Sequence, residues 1–263
     1  MNLAGAHVLL TGATGGLGQA IARALAERGA SLTLTGRRAE VLEPLAAEVG
    51  GRAVAADLAD PAAPERLLAD AGQVDVLVAN AGLPATGGLH SFSEEEIDRA
   101  LTVNLRSPIM LAHALAPGMV ERRRGHLVFM SSLAGRAAPT GSSIYSATKF
   151  GLRGFGLALR EDLAPKGVGV SVILPGFIAE AGMFAESGAK LPPYVGTKRP
   201  EDVARAVVKA IEQNRAELDV APLPLRAGAV LAALAPGPIG AVQRKLGAAA
   251  TSEEMARGQA GKR

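Results

Sequence analysis

Short, almost wholly apolar runs recur along the chain, separated by longer stretches in which apolar residues return every three or four positions. The short runs are residues 7–10, 32–35, 53–56, 74–79, 126–130, 168–174 and 218–221. Between them, helical spacing occupies residues 19–28, 39–49, a stretch from Pro61, another from Ser93, and residues 143–163 and 200–213. Strands without in-and-out alternation are buried on both faces, as in a parallel sheet that helices cover on each side. The pattern therefore predicts an α/β fold: a doubly wound parallel sheet of about seven strands with helices on both faces.

Two segments break the alternation. Residues 177–198 carry scattered Gly and Pro with weak periodicity, and are expected to form a mobile lid beside the site; an uncommitted surface loop is the alternative. Residues 223–263 read as an alanine-rich helical appendage to the same domain as residues 1–222, with a polar end from Thr251 that is expected to fray. The apolar stretch 227–242 is cut by Pro236, Gly237 and Pro238 and falls short of the ~20 residues that span a bilayer, so no membrane span is expected. Leu223 to Leu246, with Arg226, Arg244 and Lys245, could lie on a membrane surface. A helix packed on the body or on a dimer partner is the preferred reading.

Composition narrows the function classes. At 263 residues, 48% hydrophobic and 20% charged, the chain suits one soluble globular domain with a substantial core. A net charge of +3, from 28 Lys and Arg against 25 Asp and Glu, supplies no basic stripe for nucleic acid. The absence of cysteine removes disulfides, thiolate zinc sites and thiol nucleophiles, and fits a reducing, cytoplasmic setting. The first ten residues have no basic n-region, so secretion is not expected. His7, His90, His113 and His126 are scattered without ligand spacing, and no metal site is expected.

The first strand runs into Thr11-Gly12-Ala13-Thr14-Gly15-Gly16-Leu17-Gly18, followed at once by a helix. Glycines there let the backbone approach a pyrophosphate, whose charge the helix N-terminus receives; this is the phosphate-binding turn of a Rossmann fold. At the end of the second strand, where an acid would hold the ribose 2′-hydroxyl of NAD, the residues are Thr35-Gly36-Arg37-Arg38. Two arginines at a helix start oppose its dipole unless an anion lies nearby, and a 2′-phosphate would supply one. NADP is thereby preferred to NAD, with two solvated surface arginines as the alternative. Asp57 and Leu58, after the third strand, and Asn80-Ala81-Gly82, after the fourth, lie beyond the carboxyl ends of strands, where open sheets bind ligands. Asn80 could equally be a turn residue fastening neighbouring strands.

Tyr145 and Lys149, four apart on a helix, share one face. A nearby ammonium and an oxidised nicotinamide both favour the phenolate, which would tune Tyr145 into an acid/base. Ser132, at the end of the preceding strand, could hold a substrate oxygen during proton transfer.

Together these residues resemble the short-chain dehydrogenase/reductase family in its single-domain form. The likeness covers about residues 6–217 and rests on the Thr11–Gly18 turn, Asn80-Ala81-Gly82, the asparagine of Val103-Asn104-Leu105, Ser131-Ser132, Tyr145-Ser-Ala-Thr-Lys149 and Pro175-Gly176. It implies a catalytic tetrad of Asn104, Ser132, Tyr145 and Lys149, with Asn104 placing a water that links Lys149 to solvent. Ser132 is preferred to Ser131 because it lies thirteen residues before Tyr145, the family's usual separation. Cofactor contacts are implied for Thr11, Gly12, Thr14, Gly16, Leu17, Gly18, Arg37, Arg38, Asp57, Leu58, Asn80, Ala81, Gly82, Tyr145, Lys149, Pro175, Gly176 and Ile178. Two features depart from the family: Glu180 stands where relatives commonly carry a carboxamide-binding threonine, and the glycine-rich ending of many tetrameric members is absent.

The expected function is an NADP-dependent oxidoreductase moving hydride between nicotinamide and a ketone or secondary alcohol. Met183, Phe184, Leu191 and Tyr194 in the lid suggest an apolar small-molecule substrate. By resemblance a homodimer or higher homo-oligomer is expected, paired through the helices that hold Asn104 and Tyr145. The rival is an NADP-binding regulator without turnover, a class that often loses the tyrosine or lysine retained here.

Overall fold

A computed structural model describes residues 1–192, 195–245, 248–259 and 261, so Tyr194 lies outside the described residues. Within them the chain forms a seven-stranded parallel sheet in the order β3-β2-β1-β4-β5-β6-β7. The first half runs β1 (His7–Thr11), α1 (Gly16–Ala26), β2 (Ser31–Gly36), α2 (Ala39–Val49), β3 (Arg52–Ala55) and α3 (Ala63–Ala71). The second runs β4 (Val76–Ala79), α4 (Glu94–Leu101), α5 (Ser107–Glu121), β5 (His126–Met130), α6 (Ser143–Leu163), β6 (Gly169–Pro175), α7 (Gly182–Ala185), α8 (Pro200–Gln213) and β7 (Glu217–Val220). Then follow α9 (Leu223–Leu234), α10 (Pro236–Lys245) and α11 (Ala248–Gln259). The strand order reverses between β1 and β4, which opens a crevice at their carboxyl ends.

Strand periodicity divides the core. Val8, Leu10, Leu34, Val78 and Val128 face one side, against Ile21 and Leu25 of α1 and Val207 and Ile211 of α8. Their neighbours Leu9, Leu77, Leu127 and Phe129 face the other, against Leu67 of α3, Leu111 of α5 and Leu152 of α6. Each such side chain contributes roughly 1.5–3 kcal/mol by leaving water. Central strands β5 and β6 are buried along their whole length, whereas the edge strands β3 and β7 are mostly half-exposed.

Three differences from the sequence pattern have physical causes. Helix α1 begins at Gly16, so the last glycines of the turn are its first residues and present their N–H groups at the crevice. The helix beginning near Ser93 starts from a capping box, Ser93 Oγ accepting from Glu96 N–H, but breaks into α4, a π turn over Thr102–Arg106, and α5. Pro108 has no N–H to give the Asn104 carbonyl one turn earlier, which favours such a widening there. Finally, where fraying was expected from Thr251, α11 continues to Gln259 and packs back on the body. Ser252 Oγ donates to Thr140 O (2.7 Å), and Glu254 accepts from Lys190 N–H (3.2 Å).

At the β7 edge, Glu217 and Asp219 form a partly buried ion network. Arg136 pairs with both, Arg153 of α6 joins Glu217, and Arg226 of α9 approaches Asp219 at 3.5 Å. The segment after β5, α6 and α9 are thereby tied to the β7 edge of the sheet.

Candidate active site

The turn after β1 is shaped by close backbone approach. Gly12 has φ +66°, and a Cβ there would stand 2.7 Å from Ala81 Cα; one on Gly18 would stand 2.2 Å from Gly12 O. Only glycine fits either position, and the result is a cradle whose helix start has neither a side-chain cap nor an acid in its first turn. Thr11, expected to face a cofactor, is buried, and its Oγ1 accepts the N–H groups of Asn80 (3.1 Å) and Ala81 (3.0 Å). Asn80 Nδ2 donates to the carbonyls of Thr11 and Gly12 (3.1 and 3.2 Å). Of the two readings open for Asn80, the fastening of strands is therefore present, and its outer side still lines the groove.

Gly12, Thr14, Gly16, Leu17, Gly18, Arg37, Arg38, Asp57, Leu58, Ala81 and Gly82 all line that groove. Arg38 caps the start of α2 and donates to Thr14 O (2.7 Å), bracing the turn. Arg37 is exposed and has no hydrogen bond or ion pair among the described residues. Asp57 accepts from Ala59 N–H (3.0 Å) and pairs with Arg99 (3.3 Å), a cation absent from the sequence expectation.

A second cluster lies where β5, α6 and the π turn meet. Lys149 is 3% exposed, its Nζ donates to Met130 O (2.9 Å) and stands 5.6 Å from the centre of the Tyr145 ring. Burial pulls this ammonium down to about 8. Burial likewise pushes the Tyr145 phenol up to about 12, against a hydrogen bond with Ser132 that lowers it. The sequence expectation, a phenolate favoured jointly by the lysine ammonium and an oxidised nicotinamide, concerns the site with its cofactor; in the protein alone burial sets the direction. Ser132 Oγ also accepts from Ala134 N–H (3.1 Å) and faces the cavity beside Tyr145. Ser131, in contrast, is buried and donates to Lys149 O (2.8 Å), holding the lysine's backbone.

Asn104 is fully buried, its Oδ1 accepting from Leu83 N–H (2.6 Å) and its Nδ2 donating to Leu83 O (2.9 Å). Its side chain clamps the loop after β4, and its carbonyl is the one that Pro108 leaves without the usual helical donor. Gly82 brings these groups close: a Cβ there would lie 3.4 Å from Asn104 Oδ1 and 3.7 Å from Lys149 Nζ.

The short chain dehydrogenase family model matches residues 6–192. The chain belongs to the short-chain dehydrogenase family. Among curated relatives, the ketoacyl reductase HetN of Nostoc sp. is 36% identical over 246 residues, 90% of this chain and 86% of HetN. The NADP-dependent 3-hydroxy acid dehydrogenase YdfG of Salmonella typhi is 37% identical over 216 residues, 76% of this chain and 86% of its own. A short-chain dehydrogenase from Sphingobium yanoikuyae, solved in complex with NADPH, superposes with a TM-score of 0.77 at 29% identity, covering 90% of this chain and 95% of that one.

In this short-chain dehydrogenase the Tyr145 cluster opens into a cavity of about 450 Å³, walled mainly by apolar side chains such as Leu133, Pro139, Leu191, Leu225 and Met255. Pro175, Gly176 and Ile178, expected at the cofactor, line this cavity instead of the glycine groove. The lid is tied at its base by a bridge between Ile178 and Lys198, and inside it Phe177 packs edge-on against Phe184 at 5.0 Å. Glu180 adopts φ +68° and points outward toward Arg199. Sequence reasoning missed the contributions of α9 and α11 to the wall, because alanine-rich amphipathic spacing marks a buried face without saying what it packs on. His7 Nε2 meets Thr33 Oγ1 and His126 Nε2 meets Ser171 Oγ, both at 2.8 Å, so each is engaged within the sheet. Among the described residues, no helix is long and apolar enough to cross a membrane.

Proposed function

We propose that the protein is an NADP-dependent oxidoreductase interconverting an apolar ketone and its secondary alcohol. The observation that carries this reading is the meeting of Tyr145, Ser132 and Lys149 at the wall of an apolar cavity that shares lining residues with the glycine-turn groove. The residues present fit a dinucleotide: a turn too closely packed for a Cβ at Gly12 or Gly18, an uncapped helix start, and on the groove wall Arg37, which has no partner among the described residues. Thr14, Gly16, Leu17 and Gly18 would hold the pyrophosphate, and Arg37 a 2′-phosphate. When bound, the dinucleotide supplies or accepts the hydride.

In the reducing direction Tyr145 stays protonated at neutral pH and gives its phenolic proton to the carbonyl oxygen. Ser132 orients that oxygen through its hydroxyl. The charge left on Tyr145 is stabilised by the Lys149 ammonium, which remains mostly protonated below about 8. Apolar lid and α9 side chains line the cavity and favour a substrate with apolar substituents on its carbonyl. Residues 1–222 would form the catalytic body and 223–263 its helical appendage. A cytoplasmic homodimer through α5 and α6 completes the proposal, supported by Met110 and Phe150, which stand 36% and 42% exposed on those helices.

The test is titration with NADPH and NADH, then a panel of ketones and aldehydes followed at the nicotinamide absorbance, with Tyr145→Phe alongside. Turnover by the wild type that vanishes in the variant is expected. Tight NADPH binding without turnover across a broad panel would overturn the enzyme reading in favour of a cofactor-binding regulator.

A further inference from the structure

The glycine-turn groove and the Tyr145 cavity share six lining residues: Leu17, Asn80, Gly82, Gly182, Met183 and Gln259. Five come from the body and lid; Gln259 is the last residue of α11, far beyond the segment that the family model matches. Its side chain is 2% exposed. Nε2 donates to Met183 O (2.9 Å), which fixes the orientation of the amide, because that carbonyl can only accept. Oε1 is left buried with no hydrogen-bond partner among the described residues. Such an orphan acceptor is unfavourable by itself and points to a donor that arrives from outside the chain.

The position of α11 is built and not incidental. Gly258 meets the Ser187 backbone so closely that a Cβ would stand 1.9 Å from Ser187 O, which only glycine permits. With the Ser252 and Glu254 contacts, this seats the amide at the junction of the two spaces. A dinucleotide spanning both would pass this junction between pyrophosphate and nicotinamide. Oε1 cannot face a pyrophosphate, which offers acceptors alone, so its partner is a donor on the nicotinamide side.

We infer that Gln259 Oε1 accepts a hydrogen bond from the carboxamide NH₂ of the nicotinamide, so that α11 supplies a contact to the reacting end of the cofactor. The inference rests on reading the groove as a dinucleotide site.

The experiment measures calorimetric affinities of the full chain and of Gln259→Met for NADP⁺, for its 3-acetylpyridine analogue, in which a methyl replaces the NH₂, and for 2′,5′-ADP, which lacks the nicotinamide. The wild type is expected to prefer NADP⁺ to the analogue by roughly fivefold to tenfold, the worth of one hydrogen bond. Gln259→Met is expected to bind the two alike and to keep wild-type affinity for 2′,5′-ADP, which also shows that the groove is folded. Retained preference in Gln259→Met overturns the inference. So does an equal loss for NADP⁺ and the analogue, which would place the donor on the ribose, or an equal loss for all three, which would make α11 a strap. Failure of the wild type to bind any of them would instead remove the dinucleotide reading itself.

Discussion

His126 offers a test of the core in which the magnitude follows from the structure. It opens β5, is 1% exposed, and its Nε2 lies 2.8 Å from Ser171 Oγ. Ser171 donates its own proton to Arg215 O (2.6 Å), so its oxygen accepts, and His126 is the neutral tautomer with the proton on Nε2. Burial, the positive N-terminus and Arg160 push it from 6.5 down to about 3. A depressed folded value means that the unfolded chain binds the proton first. The stabilisation is complete above pH 6.5 and is lost as pH falls toward 3. At about 1.4 kcal/mol per unit, a fall to pH 4.5 removes roughly 3 kcal/mol, a large part of a typical total of about 5–15 kcal/mol. His126→Gln places an amide donor near Nε2 without a titrating group. Urea unfolding at pH 7 and pH 4.5 should therefore show the wild type losing about 3 kcal/mol more than the variant, since all other acid-linked losses are common to both. Parallel losses in the two proteins, within about 1 kcal/mol, would refute the reasoning.

Other expectations concern the site. Tyr145→Phe removes the proton donor and should lower kcat by about a hundredfold to ten-thousandfold while NADPH binding, read by fluorescence, stays intact; near-normal turnover would exclude Tyr145 as the acid. Arg37→Ala should weaken NADPH by about tenfold or more and leave NADH unchanged, and equal effects on both would reject the 2′-phosphate assignment. Asn104→Ala leaves the buried N–H and C=O of Leu83 unpaired and should cost about 2–4 kcal/mol in urea unfolding; a loss below about 1 kcal/mol would show that the clamp is dispensable. Gly12→Val cannot hold φ +66° against Ala81, and should abolish NADPH binding; a variant that binds normally would mean the turn is not the cradle.

Much of the fold was legible because a doubly covered parallel sheet writes itself as apolar runs. Strands β1, β2, β5 and β6 lie within a residue or so of the runs that announced them, and Leu9 beside Leu10 divides the core as period-two geometry requires. The meeting of Tyr145, Lys149 and Ser132 was legible for another reason: a spacing of four puts the first two on one helix face, and Ser132 follows the end of β5. What sequence could not convey was direction of packing. Nothing in the spacing of residues 248–259 says that α11 returns to the lid, because an orphan acceptor such as Gln259 exists only once its surroundings are known. The burial that raises the Tyr145 phenol is likewise tertiary, and nothing in the four-residue spacing to Lys149 announces it.

Strand β7 ends one side of the sheet, and an edge strand presents backbone groups on which a strand from another chain can pair. Glu217 and Asp219 prevent such an edge from being apolar and flat. Anchored by Arg136, Arg153 and Arg226, these acids would have to surrender their partners before an incoming strand could lie against them. The arginines that steady the β7 edge would thus also act as gatekeepers of solubility. Neutralising Glu217 and Asp219 together should therefore show first as aggregation, before any loss of catalytic geometry is measurable.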